Sequence, residues 1–347
     1  MERGHHTRNE IFCQPEAWAN ALDMVEQART GLTQIFNADY DQVLFTGCGS
    51  TYYLSLAAAA LYQQMTGKLA RAVPGGELLL NPETAVGQVS DLSRNTLLVA
   101  VSRSGSTTET VRAVEQFKKQ NHGPVIAITN YGDQPLAGLA DLPLVIQKGQ
   151  EQSVAQTRSF ASMYVAATAM TMLAAGAENL RGEMNQLPDA GAKLLARYEP
   201  VAREFGENLD FDRFYFLGSG ARYGLACEVN LKMKEMTLTH SEPFHFLEFR
   251  HGPMSMVSEN AVVVGLLSEK NSSHEQAVLY EMQALGGQVL SLAESGARVA
   301  FGSGLPESAR NVLHLPVLQL MAYYRSMAKG LNPDSPNNLT SVIYLDI

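Results

Sequence analysis

Cysteine is scarce. Cys13, Cys48 and Cys227 stand far apart and form no CxxC pair, which leaves neither a disulfide framework nor a zinc knuckle. Cys48 lies in a glycine turn, where a small buried residue and a reactive thiol are both open readings. No basic block occurs and the formal net charge is −9, so neither nucleic acid nor an anionic membrane is expected as the main partner. No apolar run is long enough to span a bilayer; the longest, near Met163 to Ala175, is broken by Thr168 and Thr171. The polar start Met1-Glu2-Arg3-Gly4-His5-His6 leads into no signal core, and a cytoplasmic location is expected. There is no HExxH and no GxGxxG, so no metal, dinucleotide or other cofactor is expected. What remains is a chain of 347 residues, 46% apolar and 18% charged, with core enough for two domains. An acidic chain can still hold a phosphate through backbone N–H groups and hydroxyls, which are local and neutral.

Residues 45–77 repeat without a gap at 216–248, at a constant offset of 171. Gly47-Cys48-Gly49 stands opposite Gly218-Ser219-Gly220, and Tyr52 opposite Tyr223. Each copy reads as short apolar strands alternating with helices, the pattern of a doubly wound parallel sheet. In the first copy the strands are 43–46, 97–101, 125–129 and 142–146. A helix over 15–36 precedes them, with Trp18, Leu22, Val25, Ala28 and Leu32 on one face. Helices of about 50–65 and 107–119 lie between them, and an apolar helix of about 159–175 follows. The second copy has strands at 214–217, 262–266 and 289–292, with helices at about 222–238 and 273–285. Residues 330–347 read as an irregular tail ending in a short apolar run. The expected boundaries are 1–190 for the first domain and 191–347 for the second with its tail.

The copies diverge where chemistry belongs. Only the first carries Ser102-Arg103-Ser104-Gly105-Ser106-Thr107-Thr108-Glu109 between an apolar strand and a helix. Unpaired N–H groups at a helix start favour an anion, Ser102, Ser104, Ser106 and Thr107 add donors, and Gly105 lets the backbone approach. A capping box of Ser106 with Glu109 is the plainer alternative, though it leaves the other hydroxyls unexplained. Ser50 and Thr51, after Gly47-Cys48-Gly49, either complete a ligand pocket or cap a turn. The second copy has Ser268-Glu269-Lys270-Asn271 after its strand and no glycine; Glu269 there would repel an anion. Only the second copy has Lys232 and Glu235, which with Glu228 fall at i, i+4 and i+7 on one helix. Taken alone that stripe reads as a solvated face with an ion pair. His240, His245 and His251 with Glu242 and Glu248 show no metal-ligand spacing. His251, in a His251-Gly252-Pro253 loop, suits a positioned acid–base group or a structural histidine.

These residues together resemble the double sugar-isomerase-domain (SIS) family: the isomerase half of glucosamine-6-phosphate synthase and the stand-alone isomerases and deaminases of phosphorylated amino sugars. The resemblance runs nearly end to end, through Glu10 to Pro15, Gly47 to Thr51, Ser102 to Glu109 and Val154 to Phe160. Its most specific part is Leu231-Lys232-Met233-Lys234-Glu235 followed, sixteen residues after Glu235, by the His251 of Glu248-Phe249-Arg250-His251-Gly252-Pro253. The tail Asn332-Pro333-Asp334 with Asn338-Leu339 matches too. The resemblance implies two tandem flavodoxin-like α/β SIS domains. It implies that Ser102, Ser104 and Thr107 hold a sugar phosphate with Thr51 nearby, and that Ser50, Ser106 and Gln156 line the substrate. Glu235 would be the base moving a proton between C1 and C2, Lys232 its neighbour, and His251 the ring-opening group, supplied across a homodimer.

Three departures stand out. The sequence opens directly on the SIS region, with no glutaminase segment. Ser341 stands where the synthase tail has a lysine, and Gln156 and Arg158 replace the family's Ser and Lys. Amide-nitrogen transfer is therefore not expected. The expected activity is aldose–ketose isomerisation of a 6-phosphosugar, foremost deamination of an amino-sugar 6-phosphate. A deglycase of 6-phosphofructosyl-amines and a non-catalytic sugar-phosphate-binding regulator are the alternatives; the chain leaves no spare length for a regulator's DNA-binding domain.

Overall fold

The computed structural model describes residues 2–345 except 90, 91, 94, 121 and 122, with backbone alone at 87–89, 92 and 93. The last two residues of the tail's apolar run lie outside the described residues. The chain opens with α1 (His5–Gln27) and α2 (Arg29–Phe36), followed by β1 (Gln42–Gly47), α3 (Ser50–Thr66), β2 (Ala70–Pro74) and α4 (Gly75–Leu80). A hairpin, β3 (Gln88–Val89) with β4 (Leu92–Ser93), leads to β5 (Thr96–Ser102), α5 (Thr108–Lys119), β6 (Val125–Thr129), α6 (Pro135–Leu139) and β7 (Leu142–Val145). Helices α7 (Arg158–Ala174) and α8 (Glu178–Glu183) complete the first copy. The predicted helix over 15–36 breaks at Ala28, which is only half-buried, while Trp18, Leu22, Val25 and Leu32 are buried.

The second copy begins with α9 (Leu187–Glu207) and runs through β8 (Arg213–Leu217), α10 (Ala221–Thr237), β9 (His240–Phe244), β10 (Ala261–Leu266) and α11 (Ser272–Ala284). It ends with β11 (Gln288–Ala293), β12 (Val299–Ala300), α12 (Glu307–Arg310) and α13 (Leu315–Ala328). Two parallel five-stranded sheets result, in the orders β2-β1-β5-β6-β7 and β12-β11-β10-β8-β9. Each sheet starts in its middle, runs to one edge, then crosses to the other. This is the doubly wound α/β fold that the sequence predicts. Strands β1, β5, β6 and β10 are buried at every residue, as continuous Val/Ile/Leu/Ala runs must be when helices cover both faces.

The sequence repeat is a structural repeat in register. Val43 pairs with Ala70 and Phe214 with Ser241, each partner displaced by the same offset. The glycines before α3 and α10, Gly49 and Gly220, share φ values of 57° and 58°. Each lets the chain turn from strand into helix through a conformation that a Cβ disfavours.

The chain divides into two compact units that are not contiguous in sequence. One holds Glu16–Glu151, Arg158–Asn185 and the tail from Thr340; the other holds the chain up to Pro15, Gln152–Thr157 and Gln186–Leu339. The first sheet packs Leu98, Ala100, Val114, Phe117 and Ala127 in its core, and the second packs Tyr215, Leu217, Phe249, Val263 and Val278. Among the described residues no helix is long and apolar enough to cross a membrane.

Candidate active site

In an open α/β sheet of this order, ligands bind outside the carboxyl ends of the strands, where the connections diverge to opposite faces. In the first sheet that point lies between β1 and β5. The turn after β1 carries Ser50 and Thr51, and the turn after β5 carries Ser102 to Thr107. Six of the seven hydroxyl-bearing and amide candidates, all but Gln156, are thus brought to one crevice by topology alone.

The turn after β5 is tightly specified. Ser102 Oγ accepts the Gly105 N–H at 3.1 Å, and Ser104 Oγ accepts the Ser106 N–H at 3.2 Å. Ser104 Oγ and Thr107 Oγ1 lie 3.4 Å apart. Gly105 has φ 67°, and a Cβ there would stand 2.9 Å from Gln134 Cβ. The Gly105 carbonyl accepts the Leu136 N–H at 2.9 Å, and the Arg103 carbonyl accepts the Asn130 N–H at 3.2 Å. The Ser106–Glu109 capping box does not form: Thr107 is the N-cap of α5 and makes no side-chain cap bond. Its hydroxyl sits at the positive end of the helix, beside Ser104 Oγ.

Thr51 is committed elsewhere. Its Oγ1 donates to the Cys48 carbonyl at 3.0 Å and accepts the Cys48 N–H at 2.9 Å, so it braces the turn. Burial pushes the Cys48 thiol above its ordinary pKa, which favours the small-residue reading over a reactive thiol. The tail also reaches this turn. Arg103 Nη2 donates to the Ser341 carbonyl at 2.8 Å, the Leu345 N–H donates to Thr108 Oγ1 at 3.0 Å, and Tyr344 Oη lies 3.4 Å from Ser106 Oγ. The irregular composition of the tail gave no signal of that return.

In the other unit, α10 carries the candidate proton-moving residues. The stripe of Glu228, Lys232 and Glu235 is not a solvated face: Glu228 and Lys232 are fully buried. Lys232 Nζ lies 3.2 Å from Glu228 Oε1 and donates a short hydrogen bond to Glu235 Oε1. Burial pulls the Lys232 pKa down, but Glu228 and Glu235 outweigh it and hold the ammonium above its ordinary value. Glu235 keeps 13% of its side chain exposed, so one oxygen is fixed by a cation while the residue still reaches the surface of its unit. Glu228 is the member of this cluster that sequence spacing showed but that was not assigned a role.

His251 sits at the end of a 3-10 turn, Glu248–Arg250, and is exposed. The turn is anchored on both sides: Phe249 is buried against Tyr215 and Phe244, and Arg250 forks onto Glu281 at 2.6–2.7 Å. Among the described residues the His251 ring forms no ion pair. His245 instead stacks on Tyr223 with ring centroids 3.9 Å apart, a packing role. Among the described residues no three of His, Cys, Asp and Glu converge as metal ligands. Gln156 is half-buried in a loop whose Gln152 N–H, Ser153 N–H and Ser153 hydroxyl all donate to the Glu10 carboxylate.

The second sheet's own divergence point is closed by charge. Arg222, the counterpart of Thr51, is buried and bonds Glu307 Oε1 at 2.6 Å. Glu269 does not point a free carboxylate into this crevice, as the sequence suggested; it pairs with Arg310 at 2.7 Å.

The SIS-domain family model matches residues 35–173 and 210–317, most of the chain. The isomerizing glutamine–fructose-6-phosphate aminotransferase of Thermococcus kodakarensis is 26% identical over 362 residues, covering 99% of this chain and 58% of that protein. The chain therefore spans under two thirds of the curated relatives it matches. The crystal structure of glucosamine-6-phosphate deaminase from Thermotoga maritima is 27% identical, with a TM-score of 0.80, covering 98% of this chain and 100% of that one. Tagatose-6-phosphate ketose/aldose isomerase from Escherichia coli superposes with a TM-score of 0.83 at 23% identity, a likeness of fold. With two matched segments, two parallel sheets and an in-register internal repeat, the chain belongs to the SIS-domain family.

Proposed function

We propose that this chain is a phosphosugar isomerase, and specifically an amino-sugar-6-phosphate deaminase that converts glucosamine or galactosamine 6-phosphate to the ketose phosphate and ammonia. The observation that carries this reading is Glu235, a partly exposed carboxylate with one oxygen fixed by a fully buried lysine. A base held in one orientation beside a cation suits abstraction of a proton next to a carbonyl. The hydroxyl-lined turn Ser102–Thr107 supports a phosphate handle. Likeness to the Thermotoga maritima deaminase over almost the full length of both chains supports an amino sugar.

In this reading Ser102, Ser104, Ser106 and Thr107 bind the phosphate, and Ser50, Thr51 and Gln156 shape the surroundings of the sugar. His251 opens the ring. Glu235 takes the proton from C2 of the open-chain aldose and returns it to C1, leaving an imine at C2. Water adds to that imine and ammonia departs. Lys232 holds Glu235 in place. We read the working unit as a cytoplasmic homodimer in which His251 serves the neighbouring subunit; its exposure and its lack of an ion pair support that. Ser341 in place of the synthase lysine, with Gln156 and Arg158, argues against nitrogen transfer from glutamine.

A panel of 6-phosphosugars tests this, with ammonia and ketose measured separately. Glucosamine or galactosamine 6-phosphate should yield both in equal amounts. Ketose from hydroxyl sugars alone would overturn the deaminase and leave the isomerase; no ketose from any would overturn both.

A further inference from the structure

The two copies part company beside α5 and its counterpart α11. In the first sheet the chain passes from β6 to β7 through residues 130–141, which include α6. Leu136 of α6 is fully buried in one cluster with Ala113, Val114 and Phe117 of α5 and Ala127 of β6. In the second sheet the chain passes from β11 to β12 through residues 294–298, and no helix stands there. A cleft of about 360 Å³ takes its place, between α11 and β11 and within one compact unit. That volume is in the range of small-molecule sites. The walls have changed as well. Ser102 Oγ and Ser268 Oγ each accept the N–H three residues on, which sets the alignment of α5 with α11. Val114 then falls opposite Tyr280 and Phe117 opposite Gln283. On the floor, the strand register puts Ser291 where the first copy has Ala127. A leucine-bearing helix such as α6 would leave these new polar groups buried without partners, so the cleft is not simply a vacant seat for one.

The lining states what would fit. Gln276, Gln283 and Gln288 present three carboxamides, each both donor and acceptor, and Tyr280 presents a hydroxyl and a ring. Among the described residues none of these four side chains has a hydrogen-bond partner. Ser291 Oγ accepts the Arg298 N–H at 3.2 Å and keeps its own proton to donate. Leu279 and Val289 add an apolar side. Among the described residues no charged side chain lines the cleft, so a phosphate or a metal ion would meet no counter-charge there. Paired donors and acceptors suit neighbouring hydroxyls, and a ring with aliphatic carbons suits the C–H face of a pyranose. We propose that this cleft is a binding site for a neutral polyhydroxylated small molecule, an unphosphorylated sugar. It belongs to the second sheet, whereas the Ser102–Thr107 turn belongs to the first, and it does not rest on the function proposed above.

Saturation-transfer difference NMR on the full chain tests this, with the methyl pyranosides of glucose, galactose and N-acetylglucosamine as probes. Their rings cannot open and they carry no phosphate, so the proposed isomerisation cannot consume them. Wild type should transfer saturation to the ring protons of at least one. Tyr280→Ala and Gln283→Ala should each weaken that binding about fivefold, as loss of a ring contact or a hydrogen bond does. Both side chains are exposed, so both variants should keep the wild-type unfolding midpoint. Ser104→Ala with Thr107→Val should leave the signal unchanged. No transfer to any of the three probes would overturn the proposal, as would equal binding by wild type and both cleft variants. A signal lost with Ser104→Ala and Thr107→Val but kept in the cleft variants would place the sugar on the first copy and overturn it too. The 6-phosphosugar panel reads turnover and this titration reads binding of unphosphorylated sugars, so either reading can fail alone.

Discussion

At the scale of single residues, the cluster on α10 shows what burial does to a sequence pattern. Three charges spaced i, i+4 and i+7 look like a surface stripe, yet Lys232 and Glu228 are fully buried. The spacing was legible; the burial was not, because it comes from packing of neighbouring helices that leaves no mark on α10 itself. Glu235→Gln should keep sugar-phosphate binding and lower turnover on the order of 10²–10⁴, the contribution of a positioned base. Wild-type turnover in that variant would remove Glu235 from the mechanism. Lys232→Met should leave the buried Glu228 carboxylate without the Lys232 ammonium and destabilise the fold by about 3–5 kcal/mol, measured by urea unfolding. His314 makes a pH prediction. Its folded pKa of about 3 lies below the unfolded value, so its contribution is complete above about pH 6.5 and is lost as pH falls. Between pH 6.5 and 5, wild type should lose up to about 1.4 kcal/mol of stability per pH unit more than His314→Gln. Identical slopes would mean that His314 is not buried neutral.

Among the elements, the central strands and α3, α5, α7, α10 and α11 fall where apolar runs and turn residues predict them. The edge strands β2 and β9 went unread, because Pro74 and Pro243 interrupt them and edge strands tolerate proline. Helix α13 went unread for the opposite reason. It is buried on nearly every side, so it has no polar face and no period to detect. The repeat also explains a flaw in α10. Its counterpart α3 ends on Gly67 in the left-handed conformation, whereas α10 ends on Leu238 at φ 50°. Leu238→Gly should stabilise the protein by about 0.5–1 kcal/mol, since a left-handed leucine is strained and its side chain is exposed. An unchanged or lower unfolding midpoint would show that Leu238 makes a compensating contact. The turn after β5 carries its own test. Ser104→Ala with Thr107→Val should weaken phosphosugar binding, while Ser272→Ala with Ser273→Val in the second copy should not. The reason is that the N–H groups of the second turn are already bonded, that of Ser268 to Glu275 and that of Glu269 to Glu307. Titration of all four with one 6-phosphosugar decides it, and a larger loss from the second-copy pair would contradict the division of roles.

For the whole molecule, one α/β unit present twice gives two sheets whose turns carry different residues. The double α/β fold was legible because the repeat keeps its register for over thirty residues. The interleaving of the compact units was not, because the first turns of α1, the 152–157 loop and the tail are placed by long-range bonds such as Thr7 to Asp334 and Arg103 to Ser341. If the working unit is a homodimer sharing His251, mixing inactive His251→Asn and Glu235→Gln chains should restore part of the activity. No recovery after verified subunit exchange would place each site within one chain. The central claim is that this chain moves a proton between C2 and C1 of a 6-phosphosugar through Glu235. Proton NMR of glucosamine 6-phosphate incubated with wild type and with Glu235→Gln in deuterated water tests it most directly. Wild type should introduce solvent deuterium into the ketose product at C1 as ammonia appears, and Glu235→Gln should introduce almost none. Deuterium entering at the wild-type rate with Glu235→Gln, or ketose never appearing with wild type, would contradict it.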